Sequence, residues 1–168
     1  KKSTGDIIGI LNSDDIYYNK TLNIVNKYFN KYQKLDFLFG SVYKHKLLHG
    51  YYPKRIKWSF GFYSTHSIGF FIKKEAHKKV GSYNIKYKYS ADYDLFYRLI
   101  IKKKMNGMAT KKSEVFGKFR RGGLSSRIRY IDFLKECTQI RLDNKQNFFI
   151  VYFIFFARLL RNLRKIFI

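Results

Sequence analysis

The chain has 168 residues, 46% of them hydrophobic and 20% aromatic, with a single proline, which is enough for one domain with a buried core. One cysteine, Cys137, excludes a disulfide scaffold and suits a cytosolic setting, and the composition excludes a disordered tail or a collagen-like repeat. The 35 Lys and Arg against 11 Asp and Glu give a net charge of +24, which points to a polyanionic neighbour or to a composition rich in Lys, Ile, Asn, Tyr and Phe.

Ile7 to Leu11 is a short β-branched apolar run and predicts a buried strand, ended by Asn12-Ser13-Asp14-Asp15. From Asn19 to Tyr32, the residues Leu22, Val25, Tyr28, Phe29 and Tyr32 recur at helical spacing, with Asn19 as the expected N-cap. Leu35 to Tyr43 predicts a second strand. His45 to Trp58 is irregular, basic and aromatic, and contains Pro53. Ser67 to Ile72 predicts a strand, and Lys74 to Val80 a short helix closed by Gly81. Ala91 to Lys104 predicts a helix with Leu95, Leu99 and Ile100 as its apolar stripe, ending by Gly107. Val115 to Phe119 predicts a strand, 120–123 a loop, 126–144 an amphipathic helix, and Asn147 to Ile168 a last helix, apolar first and then basic. Strands and helices alternate, so the expected class is α/β.

Four of the eleven acids stand in two tight clusters, Asp14-Asp15 and Asp92-Tyr93-Asp94. Clustered carboxylates repel unless something positive binds between them. Asp14 and Asp15 follow the C-terminal end of a predicted strand, where ligands bind open α/β sheets. Their hard oxygens suit Mg²⁺ or Mn²⁺ shared with a diphosphate, and equally a helix-capping turn. Asp92 and Asp94 open a predicted helix: they complement its dipole, or supply a general base facing a cleft. Arg120-Arg121-Gly122-Gly123 combines phosphate-binding forks with glycines that let backbone amides approach an anion, or is a plain basic surface loop.

In order along the chain, these pieces resemble family 2 glycosyltransferases of the GT-A fold. Ser3 to Asp15 resembles the family's A-x-G-D stretch, strand and D-x-D-like motif. His66 to Glu75, followed by Val80-Gly81-Ser82-Tyr83, resembles its middle strand, short helix and turn. Ser90 to Leu99 resembles its E-D-x-D-L-x-x-R-L helix, and Phe119 to Ser126 the loop that follows. Asn12 and Ala91 stand where the family often has acids, and no Q-x-x-R-W motif surrounds Trp58, which argues against a processive synthase.

The resemblance implies a GT-A-like (Rossmann-like) mixed sheet flanked by helices, with residues 1–126 as a partial catalytic domain. The family's nucleoside-binding first half is expected to be missing, and 127–168 is expected to be a helical extension. It also implies inverting transfer of a sugar from a nucleotide-sugar donor to the hydroxyl of a glycan or lipid-linked acceptor, in cell-surface glycan or polysaccharide synthesis. Asp14 and Asp15 would hold Mn²⁺ or Mg²⁺, and Asp92 would take the acceptor proton. Asn12, His66, Asp94, Arg120, Arg121, Gly122 and Gly123 would line the diphosphate and acceptor sides.

Phe148 to Ala157 carries no charge and is too short to span a bilayer; Arg158, Arg161, Arg164 and Lys165 follow among Leu, Ile and Phe. That pattern fits a helix lying on an anionic membrane, which would place the protein in the cytoplasm at the inner face of the cell membrane, or a helix packed back on the domain. Two other readings are a basic nucleic-acid-binding module, prompted by the charge and by 17 Phe and 15 Tyr, and a catalytically dead remnant. Paired acids and the lack of any zinc, helix-turn-helix or RNP pattern weigh against nucleic acid.

Overall fold

The computed structural model describes residues 3–13, 15–59, 67–119 and 128–163. The protein is mixed α/β, and its chain divides into two compact units, Lys1–Ser82 with Leu99–Arg121, and Tyr83–Arg98 with Gly122–Ile168.

The first unit holds both sheets. Its strands are β1 (Ile7–Gly9), β2 (Ile16–Tyr17), β3 (Phe37–Phe39), β4 (Ser41–Tyr43), β5 (Leu47–Leu48), β6 (Phe70–Lys73), β7 (Gly107–Ala109) and β8 (Val115–Lys118). One sheet has the order β1-β6-β3-β7, antiparallel except for the β3–β7 pair. The other runs β2-β8-β4-β5, with β4 and β8 parallel.

β3 is buried on both faces, which is why Phe37-Leu38-Phe39 reads as unbroken apolar sequence rather than as an alternation. Leu38 packs with Val25, Tyr28, Phe29, Leu35, Phe71 and Phe116. On the other face, Phe37 and Phe39 meet Tyr51 and Phe70 with ring centroids 5.3–6.2 Å apart. The helix α1 (Thr21–Lys31) brings Val25, Tyr28 and Phe29 to the first of these clusters.

The single strand expected over 35–43 is two strands in two sheets. The chain changes sheet at Gly40, whose N–H donates to the Gly69 carbonyl at 2.8 Å. A Cβ on Gly40 would lie 2.1 Å from the Phe116 ring, so only glycine allows the crossing there. Gly107, expected to end a helix, instead starts β7 beneath Phe37. Asn19 is not the cap of α1: Lys20 holds that position, with no side-chain cap. The helix α2 (Lys74–Val80) ends as expected at Gly81, φ 84°.

The second unit is helical. The helix α3 (Ala91–Tyr97) runs into a π-helical turn over Arg98–Lys102, so the helix expected to reach Lys104 keeps α geometry only to Tyr97. The helices α4 (Tyr130–Asp143) and α5 (Phe148–Arg161) are joined by a four-residue connection and pack together. Leu134, Cys137, Ile140, Val151 and Ile154 are buried. Asn147 caps α5 by accepting from the Ile150 N–H at 3.2 Å, at the start expected from sequence. No helix among the described residues is long and apolar enough to cross a membrane.

Candidate functional site

In the first unit the acidic segment forms a turn directly after β1. The Asp15 N–H donates to the Asn12 carbonyl at 3.1 Å. The Asn12 Nδ2 donates to Asp15 Oδ2 at 3.1 Å and to Ser67 Oγ at 2.9 Å. Asp15 is 7% exposed, so the turn holds a buried carboxylate rather than a solvated one. Burial, and secondarily the Asp15 carboxylate, push the Tyr17 phenol up to about 12. Asn12 is exposed.

The turn also joins two sequence segments that lie far apart. β1 pairs antiparallel with β6 in the register Ile7↔Lys73, Ile8↔Ile72 and Gly9↔Phe71. Residues 7–9 and 71–73 are therefore neighbours in one sheet, and the Asn12–Ser67 hydrogen bond joins the segments beyond that pair. Gly9 is needed for that pairing: a Cβ there would lie 2.5 Å from the Phe71 ring.

Among the described residues, no group of three or more His, Cys, Asp or Glu side chains could hold a metal ion. Mg²⁺ needs no such cage, since it is held by one or two carboxylates together with waters and phosphate oxygens. Of such a donor set, the described residues of this turn supply the Asp15 carboxylate, on which the Asn12 Nδ2 donates. Asp14, His66, Arg120, Arg121, Gly122 and Gly123 lie outside the described residues.

In the second unit, Asp92 and Asp94 stand in the first turn of α3 and do different things. Asp94 is 3% exposed and accepts from Arg98 Nε at 2.8 Å and Asn144 Nδ2 at 3.0 Å. Its carboxylate is directed into the unit and ties α3 to the end of α4. Asp92 is half-buried, and its Oδ1 accepts from the Tyr93 N–H at 2.8 Å. Burial, followed by the Asp92 charge, pushes the Tyr83 phenol up to about 12.

The segment leading into α3 is held by a pair of acids on α4 that sequence reading passed over, Glu136 and Asp143. Glu136 accepts three backbone N–H groups from the segment leading into α3. They are Lys88 at 2.9 Å, Tyr89 at 2.8 Å and Ser90 at 2.6 Å. Asp143 accepts from Lys86 Nζ at 2.7 Å, Tyr87 OH at 2.6 Å and Gln139 Nε2 at 2.7 Å. These donors hold the Asp143 carboxyl down to about 2, with Lys86 and Tyr87 the main causes. The signal was available: Glu136 and Asp143 are seven residues apart, hence on one face of α4, in a chain poor in acids. Cys137, on the same helix, is an unreactive core thiol, which burial raises to about 12.

Asp15 belongs to the first unit and Asp92 to the second. No protein-family model matches the chain, and no curated protein matches it.

Proposed function

We propose that the chain takes part in glycosyl transfer, with its first unit built as part of a GT-A fold. The observation that supports this is the pairing of β1 with β6. It puts the acidic turn beside the middle segment of the family 2 pattern, and the Asn12–Ser67 hydrogen bond joins the two. A capping turn alone does not require a long-range partner 55 residues away.

On this reading Asp15, together with Asp14, binds Mn²⁺ or Mg²⁺ at the diphosphate of a nucleotide-sugar. A metal held there neutralises charge on the leaving diphosphate. Asp92 accepts the proton of the acceptor hydroxyl as that oxygen attacks the sugar carbon and the diphosphate departs, which inverts the configuration. Arg120, Arg121, Gly122 and Gly123 are the candidates for phosphate binding and His66 for the acceptor side, as the family resemblance implies. The role of Asp94 is mechanical: it clamps Arg98 and Asn144, so that α3 presents Asp92 at its first turn. Sugar-nucleotide chemistry belongs in the cytoplasm, which agrees with one buried thiol and no disulfide.

The test is calorimetric titration of the full chain with UDP, GDP and TDP, each with and without Mn²⁺. The expected result is heat that requires Mn²⁺ and disappears in Asp15→Ala. Asp92→Asn should keep that heat and lose transfer from the matching nucleotide-sugar. Binding to single-stranded oligonucleotides with no diphosphate heat overturns the proposal in favour of a nucleic-acid module. Silence toward both identifies a scaffold without activity.

A further inference from the structure

We infer that α5 is an interfacial anchor that lies flat in the surface of an anionic lipid bilayer. The proposal stands apart from glycosyl transfer and rests on one face of this helix.

Val151 and Ile154 are buried, and they are the residues through which α5 belongs to the core. At about 100° of rotation per residue, the opposite side of the helix carries Phe149, Phe153, Phe156 and Leu160, and Leu163 follows just past its end at Arg161. These five are 79%, 75%, 54%, 67% and 44% exposed. The four on the helix, spaced by four, three and four residues, make one continuous stripe along it. An apolar stripe of this length is far from the scattered single exposures that a solvated surface tolerates.

Charge selects the occupant. Residues 144–168 include five Lys or Arg and no acid. The acids that face the solvent side of α4 are engaged within the unit: Asp132 with Arg129, Glu136 with the backbone at 88–90, and Asp143 with Lys86. A second copy of the chain would bring the same apolar stripe, but with an identical cationic helix and a second net charge of +24. Two such stripes repel where zipper-like pairing needs opposite charges beside the seam. An anionic bilayer offers acyl chains to the stripe and phosphates to the cations. Arg161 is exposed but falls about 110° around the helix from the centre of the stripe, so the attraction to headgroups comes from the net charge of +24 rather than from a cation beside the stripe.

The experiment is co-sedimentation of the full chain with phosphatidylcholine vesicles, with and without phosphatidylglycerol. Binding is expected only to the phosphatidylglycerol vesicles, and it should weaken as salt rises. Phe153→Ser/Phe156→Ser should lower the partition coefficient about tenfold. Both positions are exposed, so the melting curve of this variant should match that of the parent chain. A second readout places Phe153→Trp in a Trp58→Phe background, where brominated acyl chains should quench its fluorescence. Three results overturn the proposal. The parent chain does not bind phosphatidylglycerol vesicles at low salt; or the double serine variant binds as the parent does, which makes the attraction purely electrostatic. In the third, the chain forms dimers without lipid that the serine variant loses, which makes the stripe a self-interface.

Discussion

The two units are held together by different physics. In the first, a strand with both faces covered is packed among aromatic rings, and polar side chains contribute at the edges. In the second, three helices share a modest apolar core, and carboxylates on one helix hold the backbone of a distant segment. An aromatic core tolerates changes of pH and loses much from changes of volume. A carboxylate latch tolerates changes of volume nearby and loses much when its charge or its acceptors go.

The largest expected effect is in the aromatic core. Phe37→Ala, at a site of no exposure between Tyr51, Phe39 and Phe70, should cost about 4 kcal/mol in denaturant unfolding. A loss below about 1 kcal/mol would mean that the rings do not carry the sheet. Next comes Glu136→Ala, which strands three backbone donors and should cost about 2 kcal/mol. Faster amide exchange at residues 88–90, with β3 still protected, would locate the damage in the second unit; uniform exchange across the chain would erase the contrast between the units. Gly117→Ala follows, at about 2 kcal/mol, because its Cβ would meet the Ile16 carbonyl oxygen at 2.2 Å and backbone cannot swing aside.

The smallest effect is a pH dependence. Asp143 has its carboxyl lowered from 3.8 to about 2 in the folded chain, so the unfolded state binds the proton first. Its contribution is complete above about pH 4 and fades as the pH falls toward 2. Thermal melts over that range should lose stability, and Asp143→Asn should flatten the loss. An unchanged slope in the variant would shift the acid sensitivity to another group.

Much of this was legible in the residues. The apolar run at 7–11, the helix rich in Tyr and Phe after Asn19 and the capped start at Asn147 all correspond to elements found. The sheet change at Gly40 was not legible, because 35–43 is apolar on both sides of the glycine and nothing local distinguishes one strand from two. The strand at Gly107–Ala109 is three residues long, and its identity comes from pairing with Phe37–Phe39 rather than from its own pattern. At the candidate site, the acids were visible as clusters, but their separate duties were not. Asp94 and Asp92 have the same sequence surroundings, and only the packing of Asn144 and Arg98 makes one of them a clamp.

The position of Glu136 carries a practical lesson for anyone cutting this chain. Its three N–H donors are at 88–90, upstream of the boundary near residue 126 that the sequence invites. A fragment ending there would contain Asp92 but lack the acid that shapes the approach to it. Likewise, as the chain emerges from a ribosome, residues 86–90 must wait for α4 to be made before they settle. Tests of the proposed transfer therefore belong on the chain with its C-terminal helices in place.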